Sequence, residues 1–113
     1  MIRIYEDLAD LKIPVYAEGD APENLPDEYF TFYEDSTFGN LYADNNEREI
    51  RYEFTLKYYT KNAETLYSGL IAALELLKSK NYIVSGVGYA NETYRDTWFS
   101  RRADIKKIEY LEE

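Results

Sequence analysis

The sequence predicts an α+β domain: a mainly antiparallel sheet of four to five strands, with two helices packed on one face. Three observations carry that expectation. Ile50, Tyr52, Phe54, Leu56 and Tyr58 alternate with Arg51, Glu53, Thr55, Lys57 and Tyr59, the period of two expected of a strand with one buried and one wet face. A few residues on, Leu66, Leu70, Ala73, Leu74 and Leu77 recur at a spacing that gathers them on one side of a helix. Shorter runs of similar alternation, punctuated by glycine, proline and asparagine, lie on either side of this unit and supply the remaining strands. The strand and the helix must cover each other, and the rest of the chain completes a two-layer sandwich.

Residues 2–11 read as a helix, with Ile4, Tyr5, Leu8 and Leu11 on one side and Glu6, Asp7 and Asp10 on the other. Pro14 stops it, because the residue before a proline is pushed out of helical geometry. Residues 13–16 follow as a short strand. Gly19, Pro22 and Pro26, set among Glu18, Asp20, Glu23 and Asp27, make residues 17–27 a loop. A second strand runs over 29–34, where Phe30 and Phe32 face one way and Tyr29, Thr31 and Tyr33 the other. Residues 35–47 are rich in turn formers, yet Phe38, Leu41 and Tyr42 lie among them. A loop of that length in a small domain is usually either functional or disordered, and its aromatics suggest an arm or hairpin tip that docks onto something.

The third strand, residues 49–59, ends at Lys61-Asn62, and Asn62 is a good N-cap for the helix that begins at Ala63. Lys78 and Lys80 suit its C-terminus and Asn81 ends it. At about 3.3 Å per residue the strand is longer than the helix can shelter at about 1.5 Å per residue. One end of it therefore overhangs, and a neighbouring copy is the simplest cover, the alternative being a curved or bulged strand with the loop folded back over it. Residues 82–89 form a fourth strand, which Gly86 and Gly88 bend or bulge. After a turn over 91–97, residues 98–110 return as the last strand. Its apolar pattern slips between Ile105 and Ile108, so a bulge is expected at Lys106-Lys107.

At 113 residues the chain fits one domain, large enough to bury a core without staples. Cysteine and histidine are both absent, which removes disulfides, thiol chemistry, the usual general base and the commonest metal ligands. No apolar run approaches the roughly 20 residues that span a bilayer. Met1-Ile2-Arg3 leads into an acidic amphipathic segment and not into a signal peptide's apolar core, so a soluble protein made in the cytoplasm is expected. The net charge is −9. Between residues 6 and 47, twelve Asp or Glu residues stand against Lys12 alone, whereas from Lys57 onward nine basic residues balance eight acidic ones. So acidic a front half disfavours ordinary DNA or RNA binding. Thirteen tyrosines suit surfaces that become interfaces, or the edges of a sheet.

Catalysis is not expected. With 22 acidic residues, carboxylate pairs such as Asp44 with Glu47, or Glu92 with Asp96, arise by chance. Asp44-Asn45-Asn46-Glu47 lacks the alternating ligands and central glycine of a calcium loop. Gly86-Val87-Gly88 precedes no helix and is not a nucleotide fingerprint. Arg95, Arg101 and Arg102 stand among Glu92, Asp96 and Asp104 and read as surface ion pairs. No cofactor or metal is expected.

Several stretches together resemble the small tail-terminator proteins, also called tail-completion or head-to-tail joining proteins, of long-tailed bacteriophages. They are the N-terminal helix running into Ile13-Pro14-Val15-Tyr16, then Tyr29-Phe30-Thr31-Phe32-Tyr33 and Ala43-Asp44-Asn45. Leu56-Lys57-Tyr58-Tyr59-Thr60-Lys61, the helix with Ala73-Leu74-Glu75, and Thr97-Trp98-Phe99 through Ile108-Glu109-Tyr110-Leu111 complete the likeness. It departs at Lys80-Asn81-Tyr82-Ile83-Val84, where the family often has a glycine-containing turn. The resemblance implies a virion protein forming a ring, commonly a hexamer, that caps the tail tube, ends its growth and joins it to the head connector. Its partners would then be copies of itself, the tube protein and the head-side ring, with DNA passing through unbound. Phe38, Leu41, Tyr42, Tyr58, Tyr59 and Trp98 are the expected contacts with other subunits or the tube. Asp20, Glu23 and Asp27 are expected to face the lumen and keep phosphates off the wall. The rival readings are a head-closure component with the same sandwich, and an acidic DNA mimic that fills a host enzyme's cleft.

Overall fold

The computed structural model describes residues 4–39, 48–88, 91–92 and 98–111, and the side chains of 4–35, 50–88 and 98–109. The order is α1 (Ile4–Asp7), a 3-10 turn (Ala9–Leu11), β1 (Val15–Ala17), β2 (Glu28–Gly39), β3 (Arg48–Thr60), a second 3-10 turn (Ala63–Thr65), α2 (Leu66–Ser79), β4 (Ile83–Val87), β5 (Asn91–Glu92) and β6 (Phe99–Leu111). One mixed, mostly antiparallel sheet runs β1-β2-β3-β6-β4, with β5 pairing on β6. This is the α+β class the sequence predicts.

Sequence patterns account for most of the boundaries. Asn62 caps as expected: its side chain accepts from the Glu64 backbone N–H at 3.0 Å, which orders the 3-10 turn that feeds α2. The helix ends in paired return bonds, Tyr82 N–H to Leu77 O at 3.0 Å and Asn81 N–H to Lys78 O at 3.1 Å. That arrangement needs a left-handed residue at its corner. Asn81 takes it at φ 71°. The first helix is shorter than the sequence suggests. Leu8, at φ −98° and ψ 0°, divides residues 4–11 into a short helix and a 3-10 turn, and Lys12 ends the pair at φ 58°. Ile4 and Leu8 are buried, but Tyr5, expected beside them, is 49% exposed.

Phe30, Phe54, Leu56, Tyr58, Ala103 and Ile105 of the sheet meet Ile4, Leu8, Leu66, Leu70, Ala73, Leu74 and Leu77 of the helices in a single core. Both helices thus lie on one face. At about 25 cal/mol per Å² of apolar surface, burying each large side chain contributes roughly 1.5–3 kcal/mol.

Two bulges shape the sheet. In β2 the register shifts between Glu34 and Ser36, and in β4 between Val84 and Gly86. Glu34 and Ile105 both pair with Phe54, and Val84 pairs with Ile105, so the two bulges lie in one transverse row. The β4 bulge agrees with the glycine signal. It also reverses the alternation. Ile83 pairs with Lys106 and Val87 with Ala103, which puts two residues four apart, on one face of a regular strand, on opposite faces. The bulge expected at Lys106-Lys107 is absent: β3 and β6 stay in register from Arg48 with Leu111 to Thr60 with Phe99. Ile108 therefore points to the face opposite Ile105, because unbroken pairing preserves the period of two.

Three further expectations change. β1 pairs with β2 in parallel, Val15 beside Phe30, because the 18–27 loop returns the chain to the starting end. β2 passes through its bulge to Gly39, so part of the expected 35–47 loop is strand. Asn91 and Glu92, expected in a turn, pair with Ser100 and Phe99.

Candidate functional site

Beyond the bulge row, β2, β3 and β6 continue together as a three-stranded arm, pairing as far as Gly39 with Ile50 and Arg48 with Leu111. β3 has 13 residues and α2 has 14, which gives about 43 Å of strand against about 21 Å of helix. The molecule measures 54 × 25 × 23 Å. Ile50 and Tyr52, on the helix side of the arm, are half-buried, whereas Phe54, Leu56 and Tyr58 are fully covered.

The face turned away from the helices carries an aromatic patch. Tyr29 stacks on Tyr59 with ring centroids 4.8 Å apart and 12° between planes. Trp98 meets Tyr29 edge-on at 5.4 Å, and Tyr16 lies 6.0 Å from it. The Lys61 ammonium sits 5.2 Å over the Trp98 ring and that of Lys57 lies 5.6 Å over Tyr33. Such aromatic pairs contribute roughly 0.5–1.5 kcal/mol beyond burial, and Tyr29 and Trp98 are nearly covered, 5% and 6% exposed.

Next to the patch, the bulge row is polar. The Thr55 hydroxyl donates to Asp35 Oδ2 at 2.8 Å and lies 3.4 Å from Asp104 Oδ1, while Ser85 Oγ donates to the Asp104 carbonyl at 3.1 Å. Tyr33, Glu53 and Arg102 complete the wall of a shallow groove of about 400 Å³ there. Among the described residues, no group of three or more acidic side chains is placed to hold a metal ion. Among the described residues, no helix is long and apolar enough to cross a membrane.

The sequence-derived contact residues divide. Tyr59 lies in the patch, half-buried, whereas Trp98 forms its floor at 6% exposure and offers a partner hardly any surface. Tyr58 belongs to the core: it is fully buried, 4.9 Å from Phe30, with its hydroxyl donating to Glu28 at 2.6 Å. Its place in the alternation, on the face of Phe54 and Leu56, is the reason, and it leaves no surface for a partner. Phe38 pairs through its backbone with Arg51 in the arm. Leu41 and Tyr42 lie outside the described residues. Asp20, Glu23 and Asp27 are all exposed on the 18–27 loop, with Asp27 3.6 Å from Lys61 Nζ. Sequence reasoning missed Tyr16, Tyr29 and Tyr33 as members of the patch. Their opposition to Phe30 and Phe32 was the available signal.

No family model and no curated protein matches the sequence. Among solved structures, the fold is similar to a chain in the virion of a native gene transfer agent particle. The likeness has a TM-score of 0.56 at 12% identity and covers 96% of this chain and 92% of that one.

Proposed function

We propose that this chain is a structural, non-catalytic virion protein: a tail terminator that occupies the end of the tail tube as a ring, stops its growth and presents a second face to the head connector. One observation carries the reading. The sheet outruns its own helices, with three strands projecting as an arm and an aromatic patch left on the helix-free face. A subunit that must close a ring and also grip a tube needs unlike surfaces for unlike neighbours, and the arm and the patch supply two. The fold likeness to a virion chain supports a virion role, and the sequence resemblance supports the terminator among virion roles. The exposed carboxylates Asp20, Glu23 and Asp27 are read as facing the channel, where like charge holds DNA off the wall.

Co-expression with the tail-tube protein of the same genome, followed by electron microscopy, tests this. Rings on tube ends, with shorter tubes as the chain is titrated in, are expected. Binding to the head-side ring and never to tubes would replace the terminator with a head-closure protein. Recovery of a host nuclease and no virion protein would replace both with a DNA mimic.

A further inference from the structure

The sheet ends in two unlike edges. β1 lies at one side and β4 at the other, and among the described residues no further strand pairs with either. β1 runs parallel to β2, while β3, β6 and β4 each reverse the direction of the strand before. The two edge strands therefore point in opposite directions. Copies repeated head to tail around an axis would bring β4 of one beside β1 of the next in the antiparallel sense, the more stable pairing per residue.

Charge distinguishes this joint from a pairing of like edges. Glu18 directly follows β1, Asp20 and Glu23 come next, and all three are exposed. Glu18 lies 3.6 Å from Lys57. Beside β4, the neighbouring stretch of β6 carries Arg102, Lys106 and Lys107 around Asp104. Two β1 edges would repel, as would two β4 edges, and unlike edges attract. These charges act across the rim of a contact within a Debye length of about 8–10 Å, so the 18–27 loop can border a channel and still draw in its neighbour. The apolar side chains agree. Ile83 and Val87 are 45% and 43% exposed and stand on opposite faces of β4, so an added strand would cover one on each side.

We propose that the chain assembles head to tail through its sheet edges, β4 of one copy adding to β1 of the next, so that the sheet runs on around the ring. This deepens the ring reading and rests on it. The joint is short, because β1 has three residues and the β4 bulge interrupts its edge. Such a contact is weak alone and is reinforced when a tube end holds several copies together.

The absence of cysteine makes the test clean. Val15→Cys, Tyr16→Cys and Ala17→Cys on one edge, and Ser85→Cys and Val87→Cys on the other, are prepared as single variants. They are oxidised alone and in pairs, at high protein concentration and on tube ends. Disulfides between a β1 variant and a β4 variant are expected, with none from either variant alone. Their yield should fall severalfold as salt rises from roughly 0.05 to 0.5 M. A Val87→Cys homodimer, or no mixed disulfide under either condition, overturns the proposal. Hydrogen exchange on the unmodified chain guards against variants that misfold: amides of both edges must gain protection on assembly, and unchanged exchange at either edge also overturns it. The two readings fail separately. Rings linked this way that ignore tube ends sink the terminator, whereas capped tubes without edge linkage sink only this joint.

Discussion

Gly69 lies against the ring of Tyr58: a Cβ built on the glycine would stand 2.5 Å from both Cζ and the hydroxyl oxygen. Tyr58 has nowhere to retreat, being fully buried and hydrogen-bonded to Glu28 at 2.6 Å. Helix propensity favours alanine over glycine by about 1 kcal/mol, but overpacking a filled core costs roughly 1–3 kcal/mol. Gly69→Ala should therefore lower stability, read as a reduced urea midpoint with an unchanged m-value. Adding Tyr58→Phe removes the oxygen and leaves Cζ equally close, so it should relieve only part of the loss. A Gly69→Ala chain as stable as the parent would show that α2 can lift off β3 freely.

Tyr82 makes stability fall at high pH. Burial first, and then its hydrogen bond to Asp7 at 2.6 Å, push its phenol well above the ordinary tyrosine value of 10.0. The Tyr58 phenol is raised too, by burial and then by Glu28. The unfolded chain therefore gives up these protons more readily than the folded one. The stabilisation is fully present below about pH 10 and is lost as pH rises beyond it. Tyr82→Phe should flatten the alkaline limb of a stability–pH curve, and an equally steep limb in that variant would assign the effect to other groups.

Thr31 offers a gain. Its Oγ1 is buried without a hydrogen-bond partner, in a side chain only 7% exposed. A buried hydroxyl left unpaired costs roughly 1–3 kcal/mol, and valine fills nearly the same shape with a methyl group. Thr31→Val should raise the melting temperature by a few degrees, and a lower value would mean that the hydroxyl is satisfied by water.

Alternation and capping were readable in the sequence because they are local. Phe30 against Tyr29, the Asn62 cap and the Leu66–Leu77 face each follow from neighbours a few residues apart. What escaped depends on partners far along the chain. The parallel seat of β1 needs β2 already in place, and the Ser85 bulge shows its effect only once β6 is paired, when Val87 turns to the face of Ala103. Lys106-Lys107 looked irregular because the apolar side changes from Ile105 to Ile108. The strand is regular, and its surroundings change where the helices stop. For the candidate site, residue type alone points to Tyr59 and Trp98. It points equally to Tyr58, which belongs to the core by parity. The patch follows once Tyr16, Tyr29 and Tyr33 are counted with Tyr59 on the helix-free face.

The acidic loop gives the sharpest test of orientation in the virion. Asp20, Glu23 and Asp27 are exposed, and the contact of Asp27 with Lys61 spans 3.6 Å at the surface, where an ion pair contributes about 0–1 kcal/mol. Changing all three to lysine shifts the net charge of −9 by six, to −3, and should leave the fold close to normal, while the loss of Asp20 and Glu23 from the β1 edge raises the amount of chain needed to cap tubes. If these carboxylates line the channel, the variant presents a ring of ammonium groups to passing phosphates. Each fixed cation on the wall replaces a counterion of the DNA, so the moving strand is held where it was previously repelled. In the particles that assemble, DNA ejection should then slow, with the delay shrinking as salt is raised. Normal ejection kinetics from fully assembled particles would place the loop on the outer surface of the ring.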